Sequence, residues 1–111
     1  MLAVTHEYKR GTAFSILLKA TGDRTGVTDM TSQMRYARYI TTPVSDALPV
    51  SAEFVVTETE DGWLFSIDGA TSEGLATGIH FADARFLINS APDFTETYAI
   101  RITEPVTEVT P

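Results

Sequence analysis

Gly78-Ile79-His80-Phe81-Ala82-Asp83-Ala84-Arg85-Phe86-Leu87-Ile88 is the stretch that decides the fold. Read with period two, His80, Ala82, Ala84, Phe86 and Ile88 fall on one face, and Phe81, Asp83 and Arg85 fall on the other. That is the pattern of a long, half-buried strand entered from glycine.

Comparable runs recur on both sides of it. Phe14, Ile16 and Leu18 alternate with Ser15, Leu17 and Lys19 in a strand over 13–20, which ends in the glycine-rich loop 21–26. A second run over 32–41 places Met34 and Tyr36 inward and Arg35 outward. Pro43 to Pro49 reads as loop, because proline donates nothing to a sheet ladder. Ala52, Phe54 and Val56 alternate, and after Glu60-Asp61-Gly62 the pattern resumes as Trp63, Phe65 and Ile67. Asp-Gly between two alternating runs predicts a hairpin over 51–68. Thr71 to Ala76 has room for one helical turn. Pro92 and Asp93 break the long strand, and a last strand over 95–103 buries Tyr98, Ile100 and Ile102. With 17 threonines and no long amphipathic helix, the expectation is a single antiparallel β-sandwich, all-β and Ig-like, of about seven strands. Residues 1–111 form one domain, with extended terminal segments at about 1–8 and 104–111.

Composition narrows the function classes. There is no cysteine, so the domain folds by burial without a disulfide scaffold. No apolar run approaches the roughly 20 residues that cross a bilayer. Met1 to Tyr8 is followed by charge too early for a signal peptide. A net charge of −7 opposes non-specific nucleic-acid binding, which needs basic surface. The charge is uneven: residues 1–40 hold six basic and three acidic side chains, whereas residues 41–111 hold two basic and twelve acidic ones. Interleaved strands would mix these charges. A polar molecule would instead suit head-to-tail stacking.

Residues for catalysis are sparse. His6 and His80 are far apart, and His80 lies on the inward face, where a satisfied core histidine is expected. Neither zinc spacing nor a calcium loop is present, so no metal and no cofactor are expected. No serine sits in an elbow motif; Phe65-Ser66-Ile67-Asp68-Gly69 is the end of a strand. A sugar-binding sandwich would need two exposed aromatic rings, and Tyr36 or Tyr39 with Phe81 are the candidates. Asp83 is expected to pair with Arg35 or Arg101 on the outer face.

The order of elements resembles the small β-sandwich structural proteins encoded in the tail and baseplate regions of tailed bacteriophages. The residues that carry the resemblance are Gly11-Thr12-Ala13-Phe14-Ser15-Ile16, the pair Met34-Arg35, Leu75 and Gly78 before Asp83-Ala84-Arg85, and the ending Ile100-Arg101-Ile102-Thr103-Glu104-Pro105-Val106-Thr107. His80 and Ala82 stand where aromatic residues are common in that group. The resemblance implies a non-enzymatic virion component of tail, baseplate or neck, assembled in the bacterial host cytoplasm. Its partners would be other virion proteins and copies of itself in a ring or tube, with neither nucleic acid nor membrane. The expected contact residues are Leu2, Val4, Phe81, Val106 and Val109, with both termini docking on neighbouring subunits; the alternative, as strong for residues 2–8 and weaker for the tail, is an extra edge strand folded back on the same subunit. The rival reading is a carbohydrate-binding module for adhesion to a host surface.

Overall fold

The computed structural model describes residues 2–20 and 22–107. Among these, nine strands and one short helix follow one another: β1 (Val4–Lys9), β2 (Phe14–Lys19), β3 (Val27–Arg38), β4 (Val50–Glu53), β5 (Val55–Thr59), β6 (Gly62–Ile67), α1 (Gly69–Glu73), β7 (Gly78–Ile88), β8 (Ala91–Phe94) and β9 (Tyr98–Thr103). They form two sheets. The larger has the order β1-β9-β7-β3-β4, with β8 alongside β7, and the smaller has the order β2-β6-β5. Phe14, Trp63, Phe65 and Ile67 from the smaller sheet share one buried cluster with Met34, Ala82, Ala84, Ile100 and Ile102 from the larger. The all-β, sandwich-like fold is as expected, and its parity is the one read from β7.

Four features differ from the sequence reading. First, the first arm of the hairpin is two strands. β4 pairs with β3 in the larger sheet, β5 pairs with β6 in the smaller, and Phe54 is the residue that crosses between them. Its amide donates to the Ser32 carbonyl at 3.0 Å, so the corner keeps its backbone satisfied. Alternation continues through such a corner, and periodicity alone does not reveal it.

Second, β7 does not end in a loop. Asn89 and Ser90, at φ of 49° and 69°, make a two-residue turn into β8, with Ile88 opposite Ala91. Positive φ at both turn residues matches the twist of a tight hairpin. Third, the helical turn forms at Gly69–Glu73 rather than 71–76, because Asp68 caps it by accepting from the Thr71 amide at 2.7 Å.

Fourth, the N-terminal segment adds an edge strand to its own sheet, the alternative to the docking expected of it. β1 runs parallel to β9, with Val4 opposite Ala99 and Tyr8 opposite Ile102. An open β9 edge offers main-chain hydrogen bonds, and a segment of the same chain reaches it for only the cost of loop closure. The sheet is therefore mixed rather than purely antiparallel. A register shift between Val4 and His6 turns Leu2 and Val4 to the outer face, while Tyr8 stacks inward on Phe14 at 4.1 Å.

Gly62 has the tightest approach in the fold. At φ of 147° a Cβ there would lie 1.9 Å from the Leu18 carbonyl oxygen, so no other residue fits where β2 meets the β5–β6 turn.

Core truncation separates two phenylalanines of equal size. Phe65 is buried in the central cluster, so Phe65→Ala should cost about 3–5 kcal/mol in a urea melt. Phe86, expected inside, is only half-buried. Phe86→Ala should cost less than half as much as the Phe65 variant, and equal losses would contradict this packing.

Candidate functional site

The outer face of the larger sheet gathers most of the chain's unusual chemistry. Ile79, Phe81, Asp83 and Arg85 of β7 point there. Gln33 of β3 lies opposite Asp83, and Arg35 lies opposite Phe81. One half of this face is apolar: Ala37, Ile79, Phe81 and Ala99 form a second buried cluster, with Leu2, Val4, Ile40 and Leu48 packed on it. The segment 39–49 covers this half and is pinned to β3 by hydrogen bonds. Arg35 Nη1 donates to the Leu48 carbonyl at 2.6 Å, the Thr42 hydroxyl to the Ala37 carbonyl at 2.6 Å, and the Tyr36 amide to the Pro49 carbonyl at 2.9 Å.

Three of the five expected contact residues thus meet in one place. Leu2, Val4 and Phe81 share the outer cluster, but Phe81 is only 4% exposed and its ring is covered by its own chain. Its expected role as an exposed contact residue is corrected accordingly. Val106 lies elsewhere, beyond the end of β9, and is 97% exposed. Val109 lies outside the described residues.

Two adjoining cavities open on this face. One, of about 400 Å³, is lined by Leu2, Ile40, Thr41, Thr42, Val44 and Phe81. The other, of about 450 Å³, is lined by Gln33, Arg35, Asp83, Arg85 and Phe94, with Val44 and Asp46 beside them. Phe94 is 58% exposed and Val44 is 54% exposed. Sequence reasoning missed Phe94 because it missed the β8 hairpin that carries it. Asn89, a residue that tolerates positive φ, was the available signal.

Asp83 does not form the expected ion pair. Among the described residues both ion pairs are made by Arg10, with Glu73 at 3.5 Å and Glu104 at 2.9 Å. Arg35 is engaged with the Leu48 carbonyl. Arg101 sits opposite Ile79, and β9 begins at Tyr98 opposite Ala82, so no β9 residue lies across from Asp83. Burial raises the Asp83 carboxyl above its ordinary value, and the nearby Arg35 charge only partly offsets this.

The structure also brings together a serine and a histidine that sequence spacing kept apart. His80 is fully buried. Its Nε2 lies 2.8 Å from the Ala76 carbonyl, and its Nδ1 lies 2.8 Å from the Ser51 hydroxyl. A carbonyl only accepts, so Nε2 carries the proton and Nδ1 accepts from Ser51. A serine hydroxyl on an imidazole nitrogen is also the kind of contact that hydrolases use as nucleophile and base, although there the serine bonds Nε2. Here the ring is closed off from solvent and tilted against the Tyr36 ring at 5.1 Å, and neither residue lines a cavity described above. The pair therefore reads as a fully bonded core histidine joining β4, β7 and the end of the α1 loop. Burial lowers the His80 pKa from its ordinary 6.5.

Tyr36 is held inward by this ring contact and by its hydroxyl bond to the Thr77 carbonyl at 3.0 Å. Tyr39 is exposed, with the Arg38 guanidinium 5.0 Å from its ring centre. The aromatic pair expected for sugar stacking therefore does not assemble. Among the described residues, no group of three or more His, Asp or Glu stands in position to hold a metal ion.

Comparison with known proteins gives no matching family model and no matching curated relative.

Two titrating groups give opposite pH signatures. Because Asp83 is raised in the fold, keeping it ionised at neutral pH opposes folding. Asp83→Asn should raise the thermal midpoint at pH 7, and the gain should vanish as pH falls below 3.8, where the carboxyl is protonated in both states. His80 is depressed, so the stability it supports is complete above pH 6.5 and declines as pH falls below that value. Ser51→Ala, which leaves Nδ1 buried without a donor, should cost about 1–3 kcal/mol by denaturant melt at pH 7.5.

Proposed function

We propose that this chain is a non-enzymatic structural protein of a tailed-phage virion, a tail, baseplate or neck component that works by packing against copies of itself and other virion proteins. The observation that carries the reading is the outer face of the larger sheet. Val44 and Phe94 stand more than half exposed around cavities floored by Phe81 and Asp83. A concave face with exposed apolar rims and mixed charge suits a protein contact, where apolar anchors fill pockets and the polar border sets register. The resemblance in element order to small tail and baseplate sandwiches supports the same reading. Copies arranged head to tail would close into a ring or extend as a tube.

One observation favours the carbohydrate-binding alternative. Asp83, Arg85 and Phe94 line one cavity, and a sugar offers hydroxyl groups to the first two and a C–H face to the third. Binding on a glycan array that Phe94→Ala abolishes would establish that use, and the absence of any bound glycan would remove it.

Charge placed on the rim tests the packing reading. Val44→Asp with Phe94→Asp alters two side chains that are mostly exposed, so the thermal midpoint should shift little. The unmodified protein should sediment as a closed oligomer and show rings or short tubes by negative-stain electron microscopy, and the double variant should sediment as a monomer. An unmodified protein that stays monomeric at millimolar concentration would overturn self-packing, and a double variant that assembles normally would overturn the outer face as its site.

A further inference from the structure

The sandwich is open along one flank. β1 and β2 are the edges of their sheets on that side and diverge from the short turn after Lys9. They are close at the turn, where Tyr8 stacks on Phe14. At their far ends they enclose a cleft of about 560 Å³ lined by Leu2, His6, Ile16, Leu18, Phe65 and Tyr98. This cleft leads toward the core rather than toward the outer face. We propose that it receives the C-terminal segment 105–111 of a second copy, which adds a strand along β2 and fills the opening with its apolar side chains. The proposal rests on the assembly reading above and names the contact that would link copies head to tail.

Four observations converge on this occupant. The first is the edge itself: β2 pairs only with β6, so its other side has main-chain groups available for an added strand. The second is Tyr98. It lines the cleft, and its hydroxyl is buried without a hydrogen-bond partner among the described residues. Buried hydroxyls are normally paired, and an incoming strand carries a carbonyl acceptor at every residue.

The third is the tail. Arg10 grips Glu104 through Nε at 2.9 Å and Nη2 at 3.0 Å, fixing where the segment leaves the domain. That point adjoins the pairing of Lys9 with Thr103, at the closed end of the flank and away from the cleft. Val106 then stands 97% exposed. The seven residues beyond Glu104 span about 23 Å when extended, enough to run the length of a six-residue strand.

The fourth is charge. Beyond the anchored Glu104 the tail carries Glu108 and no basic residue. β1 and β2 together carry Lys9 and Lys19 against Glu7, whereas β4 and β5 on the opposite flank carry Glu53 and Glu58 with no basic residue. An acidic segment is attracted to the first flank and repelled by the second.

The absence of native cysteine makes a clean test available. Val106→Cys is combined with Leu17→Cys, whose position lines the cleft, and the purified protein is oxidised with diamide. A parallel protein combines Val106→Cys with Val55→Cys on the β5 edge, where Val55 is 68% exposed. The expected result is a reducible ladder of dimers and higher multimers on a non-reducing gel, roughly tenfold stronger for the Leu17 pair because docking raises the effective concentration. A ladder of equal strength with Val55, no ladder at all, or an internal disulfide in a monomer would each overturn the proposal. Deleting residues 105–111 separates this inference from the assembly reading. Here the truncated protein should lose self-association while keeping its thermal midpoint. If it still assembles and the Val44/Phe94 variant does not, the tail contact is refuted and outer-face packing stands.

Discussion

The structure depends on a volume complementarity across the sandwich. The larger sheet presents Ala82, Ala84 and Ala52 to the core, and the smaller sheet answers with Phe14, Trp63 and Phe65. Small residues on one layer let bulky rings on the other approach closely, so a three-stranded sheet fills the space beneath a wider one. Because β7 supplies two of those alanines and pairs along its length with β3, it sets the depth of both layers. Its other edge is divided, with β9 taking Gly78 to Ala82 and β8 taking Arg85 to Ile88. The divide falls beside Asp83, and for that reason an outer-face carboxylate there has no strand neighbour on one side and looks into a cavity.

How much of this was legible follows from what periodicity measures. Alternation along 78–88 correctly assigned the two faces of β7, and the Trp63, Phe65 and Ile67 pattern correctly assigned the inward face of β6. Alternation says nothing about what covers a face. Phe81 was expected to be exposed because it points away from the smaller sheet, and it is buried because the segment 39–49 returns over it through Ile40 and Leu48. That return is a long-range contact with no local signature beyond two prolines. Phe54 was assigned inward correctly, yet the exchange of sheets at that residue was invisible, since inward parity is the same before and after the corner. The pairing of Ser51 with His80 spans 29 residues and depends on the register shift that turns Ser51 toward the core.

The same pairing shows why geometry within hydrogen-bond reach falls short of chemistry. A general base must give up and take up a proton against a substrate, and so must meet one. His80 has both ring nitrogens occupied and no solvent exposure. Its depressed pKa comes from burial, the ordinary consequence of placing an imidazole among β4, β7 and Tyr36. Asp83 is the contrasting case: it is less buried, faces a cavity beside Arg35 and Phe94, and makes no ion pair among the described residues, so a ligand or partner group reaching that cavity finds an acceptor there.

The distribution of charge along the chain acquires a shape once the strand order is known. In the larger sheet the order β1-β9-β7-β3-β4 interleaves strands from the basic first third with strands from the acidic remainder, and the asymmetry is largely averaged out. The smaller sheet does not interleave them. β2, from the basic region, forms one edge and ends in Lys19; β5, from the acidic region, forms the other and carries Glu58. Lys19 and Thr59 lie in the same cross-strand row, each opposite Gly62, with Glu58 and Glu60 adjacent. The polarity left after folding therefore runs across the strands of the smaller sheet, from one open edge to the other. A field in that direction opposes edge-to-edge contacts between like flanks and favours contacts between unlike ones. Unlike contacts are heterologous, so copies that met along these edges would repeat head to tail rather than form a two-fold pair.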